Sequence, residues 1–338
     1  MKPIAASIND THLKDENIET NKSIFTQFIE YCVNHDIKHC FHFGDIFNSR
    51  KAMPLHIAKV FEEILDMFQE VNLTLVACKG NHDCQNYEGE DSYLDLFKYH
   101  PAFKVIRDNG FVRISDNINF HLIPFFKEST TYKKYLDRAA IEEGKLNYLG
   151  THVAIDGAMN NDGSHVIDIL PTHLFDKFDK VIVAHYHNEY HVNNKIWYCG
   201  SGFQHNYGED SNKGMVVYYD SGDIEKVKLN FPEYIKYTVS INDISESELI
   251  ALSKEKESGN NIRIELTGES EKLKSFDRTI LTDIGIDTVL KPNEAIISIS
   301  ETQSVTHDKK SIRNGFLEFC EENKVTENEY ELSKIDMI

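Results

Sequence analysis

The sequence has no apolar run approaching the roughly 18 to 20 residues that a helix needs to span a bilayer, and no cationic segment followed by an apolar one at its N-terminus. The 338-residue chain therefore reads as soluble and intracellular, with no membrane partner. Cysteine is scarce and never paired in sequence. Cys32, Cys40, Cys78, Cys84, Cys199 and Cys320 form no CxxC motif, and several fall in apolar runs, so neither a disulfide framework nor a zinc knuckle is indicated and reduced core thiols are expected. Positive charge is also in deficit: 36 Lys and Arg against 55 Asp and Glu give a formal charge of -19. This argues against sequence-independent DNA binding by the isolated chain, because phosphate contacts come from clustered Lys and Arg. Bound divalent ions would invert that charge locally, and a basic partner could supply the rest. Repeats and low-complexity tracts are missing as well.

The length suits one large domain of roughly 200 to 250 residues and a smaller one. Apolar runs at residues 4–9, 38–43 and 73–78 read as strands. Between them, Ile24, Phe28 and Cys32, then Ile57, Phe61, Ile64, Leu65 and Phe68, recur at helical spacing. This is a βαβαβ run, in which functional groups gather beyond the carboxyl ends of the strands. Asp10 and His12 follow the first strand, Asp45 the second, and Asn81 with His82 the third. Strand period two is expected to put Asp10 and His12 on one face. Alternating runs at 111–114 and 117–124 read as antiparallel strands. His152 follows another apolar run, and His185 and His187 end the buried-type strand 181–184. The runs 196–199 and 215–219 suggest a second sheet closing a sandwich. Composition shifts near Phe231-Pro232. Beyond it, alternation at 235–241 and 262–266, with charged helical stretches at 245–256 and 270–283, reads as a small α+β unit with a last strand at 295–300. Ile312, Phe316, Phe319 and Cys320 then make one apolar helical stripe in residues 311–323.

Asp10, His12, Asp45, Asn81, His152, His185 and His187 are too many ligands for one four-coordinate ion. Mixed oxygen and imidazole donors suit a pair of Mn, Fe or Zn class ions. A carboxylate can bridge two ions, and Asp45, between the others in chain order, is the candidate bridge. His82 sits beside the Asn81 ligand, where an imidazole can donate a hydrogen bond or a proton to an oxygen on which charge develops. His205 lies in a polar loop that could face the site. The remaining histidines, His42 and His121 among them, read as surface or core residues.

The motifs DTH at Asp10, GD at Asp45, GNHD at Asn81, GTH at His152 and HYH at His185 resemble those of the calcineurin-like metallophosphoesterases. With Gly44-Asp45-Ile46-Phe47 and Tyr198-Cys199-Gly200-Ser201 followed by Lys213-Gly214, the chain looks most like the SbcD-type nucleases of double-strand-break repair, phage recombination nucleases included. The resemblance implies an α/β fold: a four-layer αββα metallophosphoesterase sandwich over residues 1–231, a small α+β capping domain at 232–300 and a helical C-terminal tail at 301–338. It implies one Mn ion on Asp10, His12, Asp45 and His187, a second on Asp45, Asn81, His152 and His185, and His82 at the scissile phosphate. The implied activity is Mn-dependent exonuclease or endonuclease cleavage of DNA in the cytoplasm, that of the host if the chain is phage-encoded. The implied partner is an SbcC-type coiled-coil ATPase, docked by the tail, with a homodimer of this chain in a heterotetrameric complex. A phosphomonoesterase acting on protein or nucleotide, and a non-catalytic scaffold of the same fold, are the alternatives. The GDxVDRG and GNHE motifs of the family's protein phosphatases are not matched by residues 44–50 and Asp83. Asn48 stands where the family often has a histidine, and is expected to bind substrate by hydrogen bonding alone. Ala184 stands where glycine commonly precedes the histidine pair, a packing difference.

Overall fold

The computed structural model describes residues 1–48, 52–85, 91–159, 164, 170–244 and 246–293. The expected strand at 295–300 and the apolar stripe of residues 311–323 lie outside the described residues. The chain divides into two compact units, Met1–Lys291 and Pro292–Ile338, and the first holds the elements that build the site.

Four parallel strands come first: β1 (Pro3–Ser7), β2 (His39–His42), β3 (Leu75–Cys78) and β4 (Phe103–Ile106). The crossovers α1 (Ile18–Asn34) and α2 (Leu55–Glu70) bury the apolar stripes legible in sequence, Ile24, Phe28 and Cys32 on one and Ile57, Phe61, Ile64, Leu65 and Phe68 on the other. Both helices stop in the same way. Asp36 (φ 55°) and Asn72 (φ 57°) turn left-handed, and the amides of Ile37 and Leu73 bond back to the carbonyls of Cys32 and Phe68 at 2.8 and 2.9 Å. These bonds satisfy carbonyls the helix leaves open, at positions where Asp and Asn tolerate a positive φ.

A second sheet follows from β5 (Gly110–Arg113), β6 (Ile118–Ile123), β7 (Leu146–His152), β8 (Lys180–Ala184), β9 (Tyr190–His191) and β10 (Ile196–Tyr198), in the spatial order β5-β6-β7-β8-β10-β9. The antiparallel pairing expected at 111–124 holds for β5 with β6, but β6 runs parallel to β7, because α3 (Ser129–Arg138) intervenes as a crossover. The run at 215–219 needs a larger correction. As β11 (Gly214–Tyr219) it joins the first sheet, antiparallel to β1, with Ser7 opposite Val216, and β12 (Ile224–Lys228) continues that sheet beyond it. Its residues are apolar on both faces, Val216 and Tyr218 toward one core and Met215 and Val217 toward another, so its pattern suits an interior strand of either sheet.

Period-two alternation sorts the strands into layers. On β2, Cys40 packs with the α1 and α2 stripes while Phe41 joins the core between the sheets. On β8, Ile182 faces that core, and Val181 and Val183 pack with Tyr132 and Leu136 of α3. The order is helix, sheet, sheet, helix, the expected four-layer sandwich. Past residue 231, β13 (Tyr234–Ser240), β14 (Asn261–Gly268) and β15 (Asp287–Pro292) form a three-stranded sheet. The helices α4 (Glu246–Glu257), α5 (Ser270–Ser275) and α6 (Thr279–Thr282) give it a core of its own, in which Leu273 and Leu281 join Ile262, Ile264 and Leu266. The sequence reading missed β15, whose residues are half-buried or exposed without clean alternation. No helix among the described residues is long and apolar enough to cross a membrane.

Between the sheets, Phe41, Phe43 and Phe120 stack, with Phe120 centroids 4.8 Å from Phe41 and 5.7 Å from Phe43. Gly150 of β7 leaves room for this stack, since a Cβ there would lie 2.3 Å from Phe43 Cε1. Phe43 precedes Gly44-Asp45, so the fit also seats the loop that carries the site. We expect Gly150→Ala to destabilise the fold by about 1–3 kcal/mol through overpacking and to lower the urea midpoint. An unchanged midpoint would show that the ring stack can shift freely.

Candidate metal centre

The site lies beyond the carboxyl ends of β1, β2, β3, β7 and β8, where the βαβ reading places functional groups. The backbone leaves those strands by uncommon routes. Asp10 (φ 50°), His12 (φ 42°), Asp45 (φ 57°) and His185 (φ 103°) all have positive φ. This replaces the period-two argument for Asp10 and His12: both lie past the end of β1, and left-handed turns bring them to the site. For Asp45 the turn also needs glycine on each side. A Cβ on Gly80 would stand 2.1 Å from Asp45 Oδ1, and one on Gly44 would stand 2.7 Å from His152 Nδ1.

Asp83 ties these turns together. Its Oδ2 accepts from the amides of Gly80 and Asp45 at 2.8 Å each, and its Oδ1 from Phe47 at 2.9 Å. The His82 amide donates to Asp45 Oδ1 at 2.8 Å. Asp45 Oδ2 is left between two sets of imidazoles, 3.6 Å from His12 Nε2 and 3.4 Å from His152 Nε2.

On one side of Asp45, His12 Nε2 lies 3.0 Å from His187 Nε2. On the other, Asn81 Oδ1 is 2.9 Å from His152 Nε2 and 3.0 Å from His185 Nδ1, and the two imidazole nitrogens are 3.2 Å apart. Lone-pair atoms thus converge with too few protons to link them all, and mixed oxygen and nitrogen donors of this kind suit a divalent ion. Among the described residues, three groups offer ligand atoms within 4.8 Å of one another: His12, His187 and His205; His12, Asp45 and His82; and Asp45, His152 and His185. Asp10 belongs to none of these groups. Both its oxygens accept from the His185 amide at 3.1 Å, and its Oδ1 is 3.9 Å from His152 Nδ1.

The structure brings His205 to the site as well: its Nε2 donates to the Asp10 carbonyl at 2.7 Å, and its ring is 5.0 Å from that of His12. Asn48 is exposed, and its backbone carbonyl accepts from His82 Nδ1 at 3.3 Å. His42 is buried, as a core histidine, and supports the turn by accepting from the Gly44 amide and donating to Thr11 Oγ1, both at 3.2 Å. Sequence reasoning missed Asp83 as a backbone acceptor and Glu209 as the partner of His187 Nδ1, at 2.8 Å. A GNHD motif announces the first, and nothing in the loop pattern announces the second.

Residues 6–241, more than half of the chain, match the family described as Calcineurin-like phosphoesterase. The chain belongs to this family. The family's fold binds divalent metal ions, which agrees with the donor set above. A putative phosphoesterase, 244L, of Invertebrate iridescent virus 6 is 24% identical over 293 residues, covering 80% of this chain and 96% of the relative. The SbcD component of the SbcCD nuclease of Staphylococcus epidermidis is 25% identical over 227 residues, covering 59% of this chain and 60% of the relative. The Pseudomonas putida nuclease MPE structure aligns at 15% identity and a TM-score of 0.28, over 57% of this chain and 66% of that chain.

The electrostatics of the metal-free site divide its histidines. Burial holds the His185 imidazole down at about 3 and His12 well below its ordinary value, so both imidazoles are neutral at pH 7. Burial also acts to lower His152, but the charge and hydrogen bond of Asp45 outweigh it and raise the imidazole to about 9. A cation entering between Asp45 and His152 must displace that proton, so its affinity increases with pH until the metal-free imidazole loses its proton. We expect uptake to release at least about one proton at pH 7 and affinity to rise from pH 6 to pH 8. Calorimetry in buffers of different ionisation enthalpy checks this, and the absence of net proton release would contradict it.

Proposed function

We propose that this phosphoesterase is a two-metal nuclease that hydrolyses DNA phosphodiester bonds. The observation that carries the reading is the position of Asp45 Oδ2 between two ligand sets. In this reading Asp10, His12, Asp45 and His187 hold one ion, and Asp45, Asn81, His152 and His185 hold the other, with Mn as the working metal. Divalent ions held there would supply a more acidic water and polarise a phosphate.

The protein's own groups then orient and protonate. His82 Nδ1 donates to the Asn48 carbonyl, and in this reading the imidazole, when it carries both protons, donates from Nε2 to the scissile phosphate or the leaving oxygen. The His82 peptide is fixed by Asp45, so the group that would meet the substrate is positioned by the carboxylate that would hold the ions. The exposed Asn48 side chain lies at this rim, where an amide binds substrate by hydrogen bonding and adds no ionisation. His205, whose ring packs 5.0 Å from that of His12, is assigned to substrate binding.

The choice of DNA over a phosphomonoester is supported by the similarity to the SbcD component of the SbcCD nuclease. From the same similarity we propose an SbcC-type coiled-coil ATPase as partner, held by the tail at residues 311–323, in an assembly containing a homodimer of this chain. Residues 232–300 would cap the nuclease domain. Partner binding would add cationic surface that a chain of charge -19 lacks.

The test compares linear DNA with p-nitrophenyl phosphate, both with Mn. We expect DNA cleavage, and its loss with loss of ions in Asp45→Asn. Hydrolysis of the monoester alone would favour the phosphomonoesterase reading, and no hydrolysis of either by an ion-loaded chain would favour a scaffold. In His82→Ala we expect both ions to stay and the rate to fall by roughly 10² to 10⁴. Ion counts on the purified variant decide whether His82 is a ligand, as its place beside His12 and Asp45 also permits.

A further inference from the structure

Behind His187 lies a buried ion pair that the reaction does not use. Glu209 and Lys213, on the loop between β10 and β11, have side chains with no solvent exposure, and Glu209 Oε2 lies 3.5 Å from Lys213 Nζ. The pair meets one residue from two directions. Glu209 Oε1 lies 2.8 Å from His187 Nδ1, and Lys213 Nζ donates to the His187 carbonyl and, at 2.9 Å, to Asn188 Oδ1. The rest of the loop holds the carboxylate still: Asn206 Nδ2 donates to Oε1 at 3.0 Å, the His205 amide to Oε2 at 3.2 Å, and Gln204 Nε2 to the Glu209 carbonyl at 2.9 Å.

A carboxylate in this position only accepts, so the neutral His187 ring carries its proton on Nδ1. The lone pair is then on Nε2, the atom 3.0 Å from His12 Nε2. A fully buried ion pair is a weak way to stabilise a loop, because desolvation offsets most of the attraction. Its value here is directional. Lys213 fixes the backbone of His187, and Glu209 fixes the ring and its tautomer.

We propose that Glu209, anchored by Lys213, is the positioning residue that makes His187 a ligand for one of the two ions, the one it shares with His12 and Asp45. The proposal rests on the two-ion reading above. Glu209 touches neither substrate nor ion, and acts through His187. Removing it frees the ring to rotate or to change tautomer, while Asn81, His152 and His185 keep their geometry on the other side of Asp45.

The experiment is an Mn titration of the full chain by calorimetry, with ion counts after desalting and unfolding midpoints in the metal-free state. The wild-type chain is expected to take up two ions. Glu209→Ala should keep one at wild-type affinity and bind the other about 10–100-fold more weakly, and His187→Ala should affect the same ion. In Glu209→Gln, whose amide oxygen still accepts from Nδ1, the loss should be smaller than in the alanine variant; if the alanine variant is insoluble, the glutamine variant compared with His187→Ala carries the test. Unchanged affinities overturn the proposal. So does equal weakening of both ions with a lowered metal-free midpoint, which marks a merely structural residue. A wild-type chain that binds no ion sinks the two-ion reading itself, whereas two wild-type ions and an indifferent Glu209 sink only this inference.

Discussion

The arrangement depends first on the Asp83 carboxylate. It is fully buried, and it takes up three peptide N–H groups from two loops that are far apart in sequence, those of Gly80, Asp45 and Phe47. Each of those donors, left without a partner in the interior, would cost about 1–3 kcal/mol, so the carboxylate and the turns require each other. With the peptide of Asp45 held, its side chain has one orientation, and the His82 amide secures that orientation through Oδ1. The last residue of the GNHD motif thus places the Asp45 side chain as well as closing the turn.

The turns themselves are strained. Left-handed backbone at a residue other than Gly, Asn or Asp costs about 1–2 kcal/mol, and His12 and His185 adopt it beside the left-handed Asp10 and Asp45. Burial supplies the compensation. Phe41 and Phe43 flank the approach to Gly44-Asp45 and are wholly buried, and such side chains each contribute roughly 1.5–3 kcal/mol. Gly150 and the ring stack are therefore part of the site's energetics, although none of them touches it. Ligands that converge before an ion arrives need no large rearrangement to bind it.

The residues of the candidate site were legible as a group because their chemistry is concentrated in short motifs at strand ends, and a βαβ pattern fixes which ends lie together. The path between them was less legible. Period two pairs Asp10 with His12 only while a strand continues, yet both residues lie past its end, where turn geometry takes over. The placement of β11 failed for another reason: a strand apolar on both faces carries no mark of its sheet, and the Gly202 amide bond to the Asn9 carbonyl that directs the chain back is invisible in sequence. Glu209 was hidden most deeply. A glutamate in the polar stretch Asn206-Tyr207-Gly208-Glu209-Asp210 reads as a solvated loop residue, and only the fold shows that it lies against His187.

Charge is the remaining constraint, and it couples the metal to the substrate. The metal-free centre contains Asp10, Asp45 and Asp83 among imidazoles that are neutral at His12 and His185. Burial pushes the Asp10 carboxyl up to about 6 and the Asp83 carboxyl up to about 7, the Asp45 charge adding to both. At neutral pH the His152 imidazolium, raised to about 9 by Asp45, offsets part of the remaining acid charge, and the centre is left without net positive charge inside a chain of charge -19. A polyanion has no favourable approach to such a surface. Divalent ions reverse the sign where the reacting phosphate must sit, so the step that completes the chemistry also makes the site attractive to the substrate. In the nuclease reading, ion loading precedes productive DNA binding, and the acidity of the chain confines that binding to the loaded centre and to whatever cationic surface a partner brings.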